Sequence, residues 1–588
     1  MSKKIIRRDQ VATAHLPDAL PEKIKQIYAS RGMKSATEIE LKVSRLQGME
    51  AETALKGIEQ ACELLQLALI AKKRIIIVGD FDADGATSTA LMMVALTLFG
   101  SQNHDFIVPN RFEYGYGLTP EIVDIAAKQQ ANMLITVDNG ISCIAGVKRA
   151  KALGMQVIVT DHHLPGNVLP EADAIVNPNQ PGCTFPSKAL AGVGVAFYLM
   201  VALRKYCREH NYFVEQAIAE PNIAQLLDLV ALGTVADVVA LDANNRILVA
   251  QGLKRIRAGQ TRPGIQALIE IANRNQQRLV ASDFGFALGP RINAAGRLDD
   301  MSYGINCLLA NDLSSARVMA AELDELNKAR REIEQGMQQE AERVLTSLDF
   351  DEDNLPSAIS LFQADWHQGV IGIVAGRLKE KFHRPCIVFA KAKDDDNDVE
   401  QTEIKGSARS IPGLHIRDLL EHIDSQNPNL ISKFGGHAMA AGLSIKQQDF
   451  TIFQDRFNEM AKRWLKPEDL DSIILSDGAL SGELLTLEFA EQLRDYGPWG
   501  QSFPEPLFDD VFTLVQQRIV GEKHLKVVLE KAGQVFDGIA FNINVNVWPN
   551  AQAKQVHLAY RLDVNEFRGK RSVQLMIEDI SVYQQKNA

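Results

Sequence analysis

RIIIVGDFDADGATS (74–88) opens on an unbroken aliphatic run, turns polar at Asp80, Asp82 and Asp84, and leaves through Gly85 into small residues suited to a helix. A β-branched run without alternation suits a strand buried on both faces, as in a parallel sheet covered by helices. The same form recurs in MLITVDNG (133–140) and VIVTDHH (157–163), while LVALGTVADVV (229–239) reads equally as a fourth such strand or as a buried helix end. In open parallel sheets the ligand site lies outside the carboxyl ends of the strands. Asp80, Asp82, Asp84, Asp138, Asp161, His162, His163 and Asp237 all stand at those ends. The expected fold class is therefore α/β, with a parallel sheet carrying the chemistry.

An extended chain would turn Asp80, Asp82 and Asp84 to one side together. Three carboxylates that close cannot all stay ionised without cations between them. Alone, D-x-D-x-D-G also suits an acidic helix N-terminus or a calcium loop, although no Glu follows at the EF-hand spacing. Joined to Asp138, to Asp161 with its two histidines, and to Asp237, it suits Mn²⁺ or Mg²⁺ better than a thiolate-bound ion. A pair of such ions can activate a water and hold the leaving oxygen in an in-line phosphoryl displacement, so metal-assisted phosphoester cleavage is expected. No Walker P-loop is present, and GVGVAF (192–197) lacks the last glycine of a dinucleotide fingerprint.

The bulk properties agree with a soluble globular chain. A length of 588 residues predicts three or four domains. Six cysteines, at 62, 143, 183, 207, 307 and 386, have no C-x-x-C spacing and suit reduced cytosolic thiols, so a cytoplasmic location is expected. MSKKIIRRDQ has no apolar run after its basic residues and does not read as a secretory signal. No apolar stretch is long enough to cross a bilayer. The net charge of −11, from 63 Lys plus Arg against 74 Asp plus Glu, argues against nonspecific coating of nucleic acid and leaves a local basic groove as the route to it.

Residues 1–50 read as a helical extension and 51–312 as the α/β domain with the acidic strand ends. Residues 313–350 read as one long bridging helix, with Met319, Leu323, Leu326, Ile333, Met337, Val344 and Leu348 on a single stripe. Strand and helix alternation resumes over 351–464. DDDNDVEQTE (394–403) reads as a solvated loop or a further metal site. Over 465–588 the short runs VFTLVQQRIV, HLKVVLE, VFDGIAFN and VHLAYRLDV predict a small β-barrel.

Several groups could meet a substrate. Arg111 stands among Phe112, Tyr114 and Tyr116, a setting for phosphate contact and base stacking or for a turn with half-buried tyrosines. Arg291, Asn293 and Arg297 in GPRINAAGRLDD (289–300) read as a glycine-bearing phosphate loop, or as an ion pair with Asp299 or Asp300. Ser407 and Arg409 in KGSARSI, and His437 in GGHAMAAGLS, offer donors on backbone free to close on a ligand; GGH reads otherwise as a turn before a packed helix. Trp499, Phe503, Arg518, Lys523 and Lys526 read equally as a stacking and phosphate face of the barrel or as packing against a neighbour.

These motifs together resemble the DHH phosphoesterase family, over nearly the whole chain and most closely in its branch of single-strand-specific DNA exonucleases. The resemblance implies a DHH domain, a DHH-associated domain beyond the long helix, and a terminal OB-fold-like barrel. It places metal ligands at Asp82, Asp84, Asp138, His162 and Asp237, with Asp138 bridging two ions, His163 facing the scissile phosphate or standing behind the ligands, and Asp161 orienting the histidine pair. Family members acting on small substrates often carry a His where Val78 stands here, which leaves either Asp80 to supply a ligand in its place or the first ion to be held weakly until substrate arrives. Ser407 and Arg409 fall to the 5′ phosphate. The activity implied is a 5′→3′ exonuclease on single-stranded DNA, releasing 5′-mononucleotides in recombination and repair. Its expected partners are a helicase and a single-strand-binding protein, and its expected state is a monomer away from membranes. The alternatives are a phosphodiesterase for short oligonucleotides or cyclic dinucleotides, and a non-catalytic DNA-binding relative.

Overall fold

A computed structural model describes residues 3–50, 54–109, 116–347, 355–392, 402–567 and 569–583. It forms two compact units, one of residues 9–327 with 488–506, the other of 1–8, 328–487 and 507–588. Strand β1 (Lys4–Arg7) belongs to the second unit; helix α1 (Glu22–Ser30) begins the first.

The sheet of the first unit is built from β2 (Ile75–Val78), β3 (His104–Ile107), β4 (Met133–Val137), β5 (Gln156–Thr160) and β6 (Ala174–Val176). All pairings are parallel, in the order β3-β2-β4-β5-β6. Every residue of β2 and β4 is buried, as the unbroken aliphatic runs require. Alternation sends Ile76, Val78, Leu134, Val157 and Val159 to one face, where they pack with Ile122, Val123, Ala126, Val147 and Ala150 of α4 (Pro120–Lys128) and α5 (Ile144–Ala152). Helices α2 (Ile58–Ile70), α3 (Ala83–Leu98) and α6 (Gly192–Glu209) also pack on the sheet. The chain passes from β2 outward to β3, then back across to β4. The strand order thus reverses between β2 and β4, the place where open parallel sheets put their ligand site.

Beyond the sheet come a short α7 (Tyr212–Glu215), α8 (Leu227–Ala236), α9 (Ala243–Arg257), α10 (Pro263–Ile271), a one-turn α11 (Ala281–Asp283), a π-turn over Phe284–Leu288, α12 (Gly289–Leu298) and α13 (Ser302–Leu309). The stretch 229–239 is therefore the end of a helix, α8, and Asp237 is its C-cap. GPRINAAGRL is helix α12 and not a loop: its proline sits in the first turn, where a missing N–H costs nothing. The long helix runs as α14 (Leu313–Ser347), and the division between the units falls within it.

The second unit holds a mixed sheet, ordered β10-β11-β9-β8-β7, of β7 (Ile359–Phe362), β8 (Cys386–Lys391), β9 (Glu403–Arg409), β10 (Lys433–Gly436) and β11 (Ala440–Lys446). Its helices are α15 (Ile371–Phe382), α16 (Ile416–Gln426) and α17 (Phe450–Trp464). GGH lies at the β10–β11 hairpin turn, so no packed helix follows it. Strand β12 (Ile473–Ser476) pairs in parallel with β1, and α18 (Leu487–Asp495) follows. The chain ends in a closed barrel, β13-β14-β15-β17-β16, of β13 (Phe508–Val520), β14 (His524–Lys531), β15 (Gln534–Ala540), β16 (Gln555–Phe567) and β17 (Lys570–Val582). Among the described residues no helix is long and apolar enough to cross a membrane.

The N-terminal strand is fastened to this barrel by charge. Arg7 donates to both oxygens of Asp509, which also accepts from Ser476 and lies 3.0 Å from His557 Nε2. Burial alone would raise the Asp509 pKa, but these bonds prevail and bring it down to about 2. A depressed carboxylate contributes stability above its unfolded value near 3.8 and loses it as pH falls toward 2. Arg7→Ala is expected to lower stability by on the order of 1 kcal/mol above pH 4, allowing for solvent screening at the half-exposed Arg7, and to leave little difference near pH 2. Thermal unfolding of both proteins between pH 2 and 7 checks it, and a pH-independent difference would contradict it.

Candidate metal centre

The polar residues after β2 do not alternate along an extended chain. Asp82 is the N-cap of α3, with an extended backbone, and accepts from Asp84 N at 2.9 Å and Gly85 N at 3.0 Å. Asp84 then enters the first helical turn and is wholly buried. Its carboxylate accepts from Gly192 N at 2.6 Å and Val193 N at 3.0 Å, the first amides of α6. Asp84 thus sits in the positive ends of two helices. Gly233 lets α8 approach: a Cβ there would stand 2.2 Å from Thr87 Oγ1 and 3.0 Å from Asp84 Oδ1.

Asp138 follows β4 with φ +62, a conformation Asp and Asn tolerate better than most residues. Its Oδ1 lies 3.1 Å from His162 Nε2, which in turn lies 3.6 Å from Asp237 Oδ2. Asp161 is the orienting group. One of its oxygens accepts from His162 N (2.7 Å) and His163 N (3.1 Å) and lies 2.7 Å from His163 Nδ1; the other accepts from Ile141 N. Tyr116 donates to Asp138 O at 3.2 Å and lies 3.4 Å from His163 Nδ1.

Three groups of ligand atoms fall within 4.8 Å of one another: Asp80, Asp82 and Asp138; Asp84, His162 and Asp237; and Asp138, His162 and His163. Asp80 therefore shares a group with Asp82 and Asp138, where Val78 is a buried strand residue with no ligand to offer. Asp138 belongs to two of the groups, the placement a bridging carboxylate needs.

Electrostatics shows what the centre requires. Burial, then the charges of Asp237 and Asp82, holds Asp84 well above the usual carboxylate range. Burial, then Asp84, Asp82, Asp237 and Asp80, does the same to Asp138. Burial and Asp82 raise Asp237 to about 7. Burial and the neighbouring His163 lower His162 to about 4, which keeps its imidazole neutral and able to ligate. Burial opposes charge on His163, but Asp161 prevails and raises it to about 9. His162 Nε2 and Asp138 Oδ1 are buried, face each other, and make no hydrogen bond. Crowded carboxylates and two orphaned ligand atoms fit divalent cations, which relieve both penalties.

Two residues that sequence reasoning missed complete the support. Asn177 Nδ2 donates to His163 O at 2.9 Å and Asn179 Nδ2 to His162 O at 2.6 Å, so the loop after β6 fixes the backbone of both histidines. Their only sequence signal is NPNQPG (177–182), a polar turn like many others.

The comparisons with known proteins meet this geometry. Residues 74–234 match the model of the DHH family N-terminal domain, 354–466 the DHHA1 domain and 476–579 the RecJ OB domain. The chain is 57% identical over 576 residues to the single-stranded-DNA-specific exonuclease RecJ of Escherichia coli (strain K12), covering 98% of each. The chain belongs to the DHH family, in its RecJ branch. Crystal structures of RecJ from Thermus thermophilus with Mn²⁺ and with Mg²⁺ superpose with TM-scores of 0.78 and 0.72 at 28% and 26% identity; each match covers 99% of this chain, and 80% and 78% of theirs.

Outside the centre, the substrate groups expected of a DHH protein are placed unevenly. Arg111, with Phe112 and Tyr114, lies outside the described residues, as does most of the acidic run 394–403. Arg291 pairs with Asp324 at 2.8 Å and donates to Ala287 O, so its ion-pair partner is neither Asp299 nor Asp300. Asn293 Oδ1 accepts from Ala83 N at 2.7 Å, supporting the start of α3, and Arg297 lies in the last turn of α12. Ser407 and Arg409 stand together on β9, Arg409 Nη1 donating to Ser407 Oγ at 3.2 Å. Arg409 is partly buried, and among the described residues no carboxylate pairs with it. His437 N bonds Ala440 O in the hairpin turn. Lys526 shares a recess of about 300 Å³ on the barrel with Gln516, Arg518, Val528 and Asp537, and lies 3.5 Å from Asp537. Trp499 and Phe503 are not on that face: they stack on each other and pack near Tyr28 in the first unit.

Proposed function

We propose that this chain is an exonuclease specific for single-stranded DNA, dependent on Mn²⁺ or Mg²⁺, acting 5′→3′ and releasing 5′-mononucleotides in recombination and repair. The observation that carries the reading is the buried, unbonded pair of His162 Nε2 and Asp138 Oδ1 amid carboxylates that cannot all ionise alone. The names of the RecJ relatives and the Mn²⁺ and Mg²⁺ in their structures support the substrate and the ions. Direction of cleavage rests on the family likeness.

Asp82, Asp84, Asp138, His162 and Asp237 would hold the ions, with Asp80 beside Asp82 as a further ligand. Two bound divalent cations would supply a Lewis acid for the phosphoryl oxygen and lower the pKa of an attacking water. His163, kept cationic by Asp161, faces the phosphate and offsets charge building on it. Asp161 holds both imidazoles in register through its three contacts. No side-chain nucleophile is required.

Ser407 and Arg409 are assigned to the 5′ phosphate. A Cβ on Gly372 would stand 2.9 Å from Ser407 Oγ and 3.0 Å from Arg409 Nη2, so the start of α15 closes on the pair and adds its own positive end. A partly buried guanidinium that no carboxylate pairs with among the described residues fits a phosphate dianion there. Arg409→Ala is expected to cut kcat/KM about 10- to 100-fold on strands with a 5′ phosphate and to leave 5′-hydroxyl strands little changed. Equal losses on both would remove the assignment. Arg111, Arg291, Asn293, Arg297, His437 and Lys526 are proposed for contacts along the strand. Arg291 and Asn293, already bonded within the fold, would act mainly by supporting the site. A cytoplasmic monomer working beside a helicase and a single-strand-binding protein completes the reading.

The reading is tested by giving the purified chain labelled single strands, matched duplexes and dinucleotides with Mn²⁺, with Mg²⁺ and with chelator. Metal-dependent shortening of single strands alone is expected. Cleavage confined to dinucleotides would favour a short-oligonucleotide phosphodiesterase, and no cleavage would favour a DNA-binding relative.

A further inference from the structure

Asp237 ends α8, and the next residue, Val238, has φ +64. A β-branched residue in the left-handed region is strained, and such strain persists only where the surroundings over-determine the backbone. On one side the hold comes from the start of α9 and from the segment before α6: Asn245 Nδ2 donates to Ala240 O at 2.8 Å and Ala189 O at 2.6 Å, and Ser187 Oγ donates to Asp242. The other anchor comes from far along the chain. Leu241 N donates to Gln501 O at 2.8 Å. The buried Leu241 side chain lies against Gly500, where a Cβ would come within 2.7 Å of Leu241 Cδ1.

Gly500 is held in turn. It exchanges backbone hydrogen bonds with Phe503 at 2.9 and 3.1 Å. Phe503 stacks on Trp499, with ring centroids 5.2 Å apart, and its face carries the Arg246 guanidinium at 4.0 Å. Arg246, on α9, is 2% exposed, its Nε has no hydrogen bond, and among the described residues no carboxylate pairs with it. The aromatic face compensates it, together with a 3.4 Å hydrogen bond from Nη1 to Glu38 O. Tyr28 donates to Tyr496 O and Arg31 to Pro504 O, which fixes the segment to α1 and the turn after it.

We propose that residues 488–506, which stand beside the barrel in sequence, are the buttress of the metal centre, with Gly500, Gln501 and Phe503 positioning Asp237 through Leu241 and Val238. The proposal rests on Asp237 as a metal ligand. It also predicts that a truncation meant to remove only the barrel, if cut before residue 488, removes part of the metal centre's support.

The test uses the full-length chain with Phe503→Leu, which keeps a large apolar side chain but loses the aromatic face, and with Gly500→Ala, which adds one methyl against Leu241. Mn²⁺ binding is measured by calorimetry, and hydrogen exchange of the Leu241 amide is measured without metal. Leu65→Ala, a core change in α2, serves as a control for lost thermal stability. Both test variants are expected to bind Mn²⁺ about ten-fold more weakly and to lose Leu241 protection, while Phe503→Tyr restores both and Leu65→Ala shows neither effect. Wild-type Mn²⁺ affinity with a protected Leu241 in both test variants would overturn the proposal. If Asp237→Ala itself binds Mn²⁺ like the unaltered chain, the ligand assignment fails instead, and Leu241 exchange alone then decides whether the buttress holds this loop.

Discussion

Asparagine in place of Asp138 is expected to slow hydrolysis of single-stranded DNA by about 1,000-fold or more and to weaken Mn²⁺ binding in the same protein. Asp138 is the carboxylate shared by two of the ligand groups, and its Oδ1 faces His162 Nε2 with no hydrogen bond between them. Asparagine isolates the charge better than alanine does. At φ +62 an alanine would add backbone strain, whereas asparagine accepts that conformation and fills the same volume. The folded protein should also be at least as stable without metal, since one buried charge among Asp84, Asp82, Asp237 and Asp80 is gone. Loss of activity with a raised Tm in chelator is thus the expected signature. Activity within ten-fold of the unaltered chain would show that Asp138 does not bridge the ions.

Alanine at Gly192 is expected to be nearly as damaging, although it adds a single methyl group. Its Cβ would stand 2.6 Å from both Cβ and Oδ1 of Asp138, closer than packed atoms allow. The backbone cannot retreat freely, because Gly192 N and Val193 N hold Asp84. Relief must displace Asp138 or the start of α6, and each carries part of the centre. A loss of about 100-fold in kcat and a weaker Mn²⁺ affinity are expected. Gly194→Ala provides the contrast: its methyl meets the movable end of Leu190 at 3.1 Å and improves helix propensity. Kinetics and Mn²⁺ titration of the two variants side by side decide the matter. Equal effects would mean that helix rigidity, not the approach to Asp138, explains the glycine.

The strand ends at Asp80, Asp138 and Asp161 were legible in the sequence because parallel-sheet burial leaves an unbroken aliphatic signature on β2, β4 and β5. The stretch around Asp237 was not, since α8 is buried on nearly all sides and its residues carry no period that separates helix from strand. The first turn of α12 was hidden by Gly289 and Pro290, which mark loops and helix starts alike. Asn177 and Asn179 gain their roles only through contacts with the backbone of His162 and His163, made across the end of the sheet. For Trp499 and Phe503 the packing alternative holds, but its partners were hidden because neighbours in sequence are poor guides to partners in space: they pack on Tyr28 and Arg246, far earlier in the chain. The alternation expected of Asp80, Asp82 and Asp84 failed because Asp82 caps α3 and starts the helix early, which turns Asp84 toward α6.

The most direct test is anomalous diffraction from crystals of this chain grown with Mn²⁺. Two manganese peaks are predicted that share the Asp138 carboxylate, with ligand distances of about 2.1 Å and with His162 Nε2 and Asp237 on one of them. Peaks confined to another acidic cluster, such as the run 394–403, or a His162 ring left without an ion, would contradict the account.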